Sequence, residues 1–337
     1  MSAEEVVTLI MNSVSQIMPY MAAFAISVNI CHFIILSHKS STSSSMNTLL
    51  IGIAVVDILS PLLYLKRGIM SVYSSWQHFC IVSSYNSTLV DLILMALSEN
   101  FRRCSTWLGL LLLITRTISV KVKAGRINEM VTESKFGVIL IICTLICSIP
   151  ILIPYLLRYQ IIADDPHFCK VSTETEVLVT NYFISEFTKD KAAIGGSARA
   201  VHNLVTGVFG QLIPSLLFPI FAFILVCELR KKAQNMTTTV VKTDKLSKMM
   251  IYMTITFFVI EFPIGCGKLW NAMQTESTIP HNMNQIFHYL YVPMTTTHCF
   301  LCFLMSSQYR QSAAKRLAIN RRSRLNLVNS SVHIVTK

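Results

Sequence analysis

The chain has 337 residues, of which 53% are hydrophobic and only 14% charged, and it carries a formal net charge of +12. So apolar a composition excludes an ordinary soluble domain and points to an integral membrane protein. In that setting the surplus of Lys and Arg reads as loops facing one side of a bilayer, and nucleic acid is not an expected partner.

The first residues hold Glu4 and Glu5 without a basic stretch, so no cleavable signal peptide is expected and residues 1–16 read as a short outer N-terminus. Apolar runs long enough to cross about 30 Å of hydrocarbon as helices follow at Ile17 to Leu36, Met46 to Leu65, Phe136 to Leu157, Leu204 to Cys227, Met249 to Trp270 and Gln285 to Met305. One more stretch, Leu89 to Val120, is interrupted by charge. Splitting it into a re-entrant pair would leave polar backbone at membrane depth, so a single helix is expected. The expectation is all-α, a seven-transmembrane helix bundle over residues 17–305.

With the N-terminus outside, eighteen Lys and Arg residues fall in inner segments and eight, Lys268 among them, in outer ones. That bias favours a plasma-membrane, multi-pass protein with its N-terminus extracellular and its C-terminus cytoplasmic. The second outer loop, Arg158 to about Val201, is long and acid-rich, while the third inner loop, Arg230 to Lys248, is short and basic. Residues 306–322 mix Arg310, Lys315, Arg316, Arg321 and Arg322 with apolar residues, as an amphipathic helix on the inner leaflet does. Residues 323–337 read as a disordered basic tail. Of ten cysteines, only Cys80 and Cys169 fall in outer loops, which makes them the candidate disulfide. The sequon at Asn86 lies outside and is open to glycosylation; those at Asn235 and Asn329 lie inside.

Polar groups within a membrane usually face a bundle interior or a water-filled cavity. Here they are Asn29, Asp57, Glu99, Arg102, Arg103, Ser105, Glu261 and His298. Glu99, Arg102 and Arg103 share one side of a helix, acid before base. Arg116, fourteen residues beyond Arg102, returns to within about 40° of that face. Prolines, among them Pro61, Pro150, Pro154, Pro214, Pro219 and Pro263, interrupt the spans, and Pro263, beside Glu261 and Phe257, is placed to couple a buried charge to a helix bend. No HExxH, GxSxG, Walker A or dinucleotide-binding pattern is present, so an enzyme is not expected. From the residues alone, a transporter or channel using Asp57, Arg102 and Glu261 as a charge relay competes with a receptor switched by those groups.

Four stretches in chain order, FRRCSTWLGLLLLITRT at Phe101 to Thr117, LIPSLLFPIFAFILVCELRK at Leu212 to Lys231, FFVIEFPIG at Phe257 to Gly265 and HCFLCFLMSSQYR at His298 to Arg310, resemble the nematode serpentine chemoreceptors of class W. That family belongs to the rhodopsin-like G-protein-coupled receptors and is similar to receptors for FMRFamide-like neuropeptides. The resemblance covers about Ile17 to Arg316. It implies a receptor that binds an extracellular peptide or small ligand and activates a heterotrimeric G protein.

Arg116 takes the place of the arginine that meets the G protein, but between Thr115 and Thr117, where most relatives outside class W have an acid and an aromatic. Lys121, Lys123, Arg230, Lys231, Lys245, Lys248 and Arg310 complete the implied coupling surface. Asp57, Asn29 and Ser105 match the superfamily's sodium-binding cluster, sodium being the one cofactor the resemblance raises, while His298-Cys299 stands for the usual asparagine-proline of the seventh span. Glu261 occupies the position of the tryptophan switch. Arg102 is therefore expected to pair with Glu261, and Glu99 to hold Arg103, with Phe257, Pro263 and His298 part of the same switch. The expected ligand-facing set is Glu99, Arg103, Glu261, Gln285 and His288, with no metal site.

Overall fold

The computed structural model describes residues 3–37, 44–77, 83–122, 125–165, 167–170, 176–186, 193–234, 240–273, 289–305 and 309–315. Cys80, Lys123, Asn235, Gln285, His288 and everything from 316 onward lie outside the described residues.

Five helical stretches are long and apolar enough to cross a membrane: Ser13–Leu36, Ser45–Tyr73, Ser134–Leu156, Ala198–Lys231 and Ile251–Met273. Between the second and third of these runs α4 (Tyr85–Lys121), 37 residues unbroken by its charges, about 55 Å at 1.5 Å per residue. After the fifth come helical residues 289–294, a turn at 295–296 and α11 (Thr297–Met305). Together they make an all-α bundle of seven spans, and residues 309–315 form a further helical turn beyond the seventh.

Prolines set where the spans bend. α1 (Ala3–Leu36) begins well before the expected outer edge of the membrane. The second span is two helices, α2 (Ser45–Leu59) and α3 (Leu62–Gln77), parted at Ser60-Pro61, where the ring clashes with the preceding turn and no N–H is offered. The fourth joins α6 (Ser134–Ser148) to α7 (Leu152–Leu156) through a 3₁₀ turn at Ile149–Ile151 that contains Pro150. α10 (Val240–Met273) passes through Pro263 as one helix.

The fifth span carries the largest irregularity: α8 (Ala193–Val205), a π-helical stretch (Thr206–Leu212), then α9 (Ile213–Gln234). Its backbone explains it. Ile213 N–H donates to the Val208 carbonyl, an i→i−5 bond, and the next donor in that register would be residue 214, a proline without an N–H. The carbonyl of Phe209 is thereby orphaned, and the Trp107 indole Nε1 of α4 donates to it at 3.1 Å. A proline thus ties the third span to the fifth.

At one end of the bundle the long loop folds into antiparallel pairs. β1 (Tyr159–Ala163) pairs with β4 (Tyr182–Glu186), and β2 (His167–Lys170) with β3 (Glu176–Val179), inside that pair in sequence. The loop docks on the start of α4: Tyr182 N–H donates to the Ser83 carbonyl at 2.9 Å and Thr88 Oγ1 to the Tyr182 carbonyl at 3.1 Å. At the opposite end α5 (Arg126–Thr132) is fastened to α2 by Ser45 Oγ, which donates to the Val131 carbonyl at 2.6 Å.

The packed interior centres on Leu49, Ile53, Leu108, Leu112, Phe218 and Leu225, while Ile139, Ile142, Ile146 and Ile153 of the fourth span are exposed, as expected where lipid is the solvent. α6 can lie close to α2 because residue 137 is glycine: a Cβ there would meet the Ser45 carbonyl oxygen at 2.8 Å and Thr48 Cβ at 2.9 Å. Small residues at such crossings drive association where no hydrophobic effect operates between helices. Gly137→Leu should therefore destabilise the detergent-solubilised protein by about 1–3 kcal/mol through overpacking, read as a lowered unfolding midpoint.

Candidate functional site

Within the bundle the side chains of α4 and α10 build a buried ionic cluster around Arg102. Its Nη1 donates to both Glu261 oxygens, at 3.0 Å to Oε2 and 3.3 Å to Oε1, and its Nη2 to Glu99 Oε2 at 3.1 Å. Thr106 Oγ1 donates to Glu261 Oε1 at 3.3 Å. The amide of Gln211, in the π-helical stretch, suits its neighbours with the oxygen toward Arg102, accepting from Nη1 at 2.9 Å and also from Nη2. The guanidinium lies 5.5 Å from the ring centroid of Tyr291 in the seventh span, within cation–π range. Arg102 is 2% exposed and Glu261 fully buried; such charges carry a desolvation penalty of several kcal/mol each, offset only by well-aligned partners.

Two sequence-based expectations are corrected here. Glu99 does not hold Arg103. It accepts from Arg102 and from Lys268 Nζ, the latter at 3.1 Å, while Arg103 donates through Nη2 to Asn100 Oδ1 at 3.1 Å. Steric freedom explains the turn: Gly210 leaves the space that the Arg103 methylenes occupy, since a Cβ there would stand 3.0 Å from Arg103 Cδ. Nor is Lys268 an outer-loop charge. α10 continues to Met273, which places Lys268 a turn inside the helix, 4% exposed and facing the cluster. An isolated lysine next to an apolar run gave a warning of this; Gln211 and Tyr291 had no local signal at all.

One layer along, Asp57 is fully buried and accepts from the Tyr291 hydroxyl at 3.4 Å, a long and weak bond. Asn29 donates to the Ala25 carbonyl at 3.0 Å and reaches Thr295 Oγ1 at 3.5 Å. Asp57 Oδ2 and Asn29 Oδ1 are both buried without a partner, and with the buried Ser105 nearby in the bundle they offer the hard oxygen donors that suit a small cation. Among the described residues no cluster of three His, Cys, Asp or Glu side chains could hold a metal ion.

Beside this layer three rings form a column. Phe218 and Phe257 stack with centroids 4.8 Å apart and planes 11° from parallel, and Phe257 meets His298 at 5.2 Å. Gly109 makes room for it: a Cβ there would stand 3.0 Å from Phe257 Cε2 and 3.4 Å from Phe218 Cζ. The column joins α4, α9, α10 and α11 next to the ionic cluster.

Toward the end opposite the β-pairs, Arg116 is half-buried, its Nε without a partner, and no acid among the described residues pairs with it. Thr117 Oγ1 bonds back to the Leu113 carbonyl at 2.8 Å instead. Arg310 Nη1 donates to the carbonyls of Leu304 at 2.7 Å and Phe303 at 3.1 Å, satisfying the C-terminal carbonyls that a helix leaves open. His32 Nδ1 lies 2.8 Å from the Tyr309 hydroxyl, pinning the last described helical turn to α1. Lys121, Arg230 and the exposed Lys231, which pairs with Glu228 at 3.4 Å, are at this end too; Lys245 and Lys248 lie on α10. The loop of Cys169 reaches β2, but its candidate partner Cys80 is outside the described residues, as are Gln285 and His288. Asn86 is exposed in the first turn of α4.

The family model described as serpentine type 7TM GPCR chemoreceptor Srw matches residues 16–320. No curated protein matches the chain.

The geometry ranks the members of the cluster. Arg102→Met strands Glu261 and should cost about 3–5 kcal/mol, whereas the double replacement Arg102→Met with Glu261→Met removes both buried charges and should recover most of that loss. It leaves the Glu99 to Lys268 contact intact. A reciprocal charge swap should fail, because it sets an acid against Glu99 and a base toward Lys268. Unfolding midpoints of the wild type and the three purified variants check the order.

Proposed function

Because the chain belongs to the serpentine type 7TM GPCR chemoreceptor family Srw, we propose that it is a plasma-membrane receptor that binds an extracellular peptide and activates a heterotrimeric G protein. The observation that carries this reading is the cluster of Glu99, Arg102, Glu261 and Lys268, which clamps α4 to α10. A clamp of shared ions is a bistable element: a ligand that competes for one partner shifts the others. A ligand guanidinium or amine would compete with Lys268 for Glu99, and the exposed Asp164 and Asp165 of the long loop would attract such a ligand.

In this reading the N-terminus and the β-pairs face outward. Release of Glu261 would free α10, and the Phe218, Phe257 and His298 column beside it would repack. The inner surface of Arg116, Lys121, Arg230, Lys231, Lys245, Lys248 and Arg310 would then open to the G protein. With no acid among the described residues holding Arg116, the ionic clamp in mid-bundle, together with the His32 to Tyr309 contact, keeps the resting arrangement. A sodium ion at Asp57 and Asn29 would favour that same state.

Two measurements test this. In reconstituted membranes, secreted basic peptides should accelerate nucleotide exchange on a G protein; Arg116→Ala should abolish the exchange with surface expression unchanged, and ligand-driven solute flux without exchange would overturn the receptor reading in favour of a transporter. For orientation, glycosidase treatment should increase the gel mobility of the wild type and of Asn235→Gln but not of Asn86→Gln. A glycan on Asn235 would reverse the topology.

A further inference from the structure

Outside the bundle interior, α4, the fourth span and the π-helical stretch of the fifth enclose a groove of about 490 Å³, within the ~300–1,000 Å³ typical of small-molecule sites. It is distinct from the ionic clamp, because its walls face lipid. Cys143, Cys147 and Phe209 on its rim are exposed, on a fourth span whose outward residues are isoleucines. Along α4 it runs from Arg103 to Leu111, about 12 Å at 1.5 Å per residue. Apart from Arg103, none of its lining residues carries a charge, and Trp107, Leu140 and Val205 supply apolar walls.

Arg103 is the group that needs explaining. It is 2% exposed, yet its Nε and Nη1 have no hydrogen-bond partner, and its one bond goes to the neutral amide of Asn100. Glu99, the nearest acid along its helix, is occupied by Arg102 and Lys268. An arginine at membrane depth with two open donors calls for an anion. The groove has an arginine in the wall at one end and an uncharged, mostly apolar length beyond it, which matches a single-chain anionic amphiphile.

We propose that this groove binds a long-chain fatty acid from the bilayer, its alkyl chain lying along Trp107, Leu111 and Leu140 and its carboxylate drawing the Arg103 guanidinium, whose Nε and Nη1 lie covered behind the groove wall, round to donate to it. The fatty acid would bridge the third, fourth and fifth spans at the proline-induced π-turn, where Trp107 already holds the Phe209 carbonyl. The site is entered sideways from lipid and does not depend on the identity of any ligand at the outer mouth.

The test uses the full-length protein in nanodiscs of phosphatidylcholine and a diazirine-bearing fatty acid as probe. Photolabelling should fall on the 143–151 segment, be displaced by oleate and not by oleyl alcohol, and drop about tenfold or more in Arg103→Gln, the loss expected for a charge-assisted hydrogen bond. Oleate should raise the melting temperature of the wild type but not of that variant. Thr144→Trp, which fills the groove and leaves Arg103 in place, should lose labelling with its melting temperature in the absence of fatty acid unchanged, and it carries the test if Arg103→Gln does not fold. Equal displacement by the alcohol, wild-type labelling of either variant, or displacement by phosphatidylserine but not oleate would overturn the proposal.

Discussion

A guanidinium inside a lipid-facing bundle has to be met by anions on its own plane, and Arg102 imposes that demand on four spans at once. Its fork meets Glu99 on its own helix, Glu261 on α10, Gln211 in the fifth span and the Tyr291 ring in the seventh. Each partner must present its side chain at the same depth, so the relative register of those helices is set by one residue. Lys268 completes the arrangement, because Glu99 shared between two cations is better compensated than Glu99 held by one. The aromatic column of Phe218, Phe257 and His298 sits one step further along and inherits its place from the same alignment of α4 with α10.

Helix irregularities do the rest of the positioning. Pro214 denies a donor to the Phe209 carbonyl, the backbone takes an i→i−5 register, and the widened turn carries Gly210 and Gln211 past α4 and Gly207 past α10. From that one turn Gln211 faces inward to Arg102, Gly210 admits the Arg103 methylenes, and Phe209 receives the Trp107 indole. The same local event thus separates two neighbouring arginines: Arg102 into the ionic clamp, Arg103 toward the lipid-facing groove. In a receptor, such a turn would link the state of the interior to the membrane outside it.

Much of this was legible in the residues. The apolar runs predicted the spans, because a bilayer requires about twenty apolar residues wherever a helix crosses it, and the charged run at Glu99 to Val120 had to be one helix since no other backbone satisfies its own polar groups at that depth. The pairing of Arg102 with Glu261 came from the family resemblance, which set Glu261 at the switch position and Arg102 at its level; the charges alone left Asp57 as a rival partner. Glu99 and Arg103 were misread as partners because i, i+4 spacing allows a pair without requiring it, and here Arg102 on the same helix and Lys268 from α10 take the acid. Lys268 was misread because, two residues from the expected end of its span at Trp270, it was counted with the outer charges, whereas α10 continues to Met273 and turns it inward.

By itself, then, the sequence determined that this chain is a helical membrane bundle with an ionic centre, since composition and run length are enforced by the solvent and leave few alternatives. Only the tertiary structure decided which charges meet. Partner choice depends on helix rotation and depth, and those are settled by contacts more than a hundred residues apart in the chain, by the glycines that allow close approach, and by a proline whose missing N–H reset the register of the fifth span.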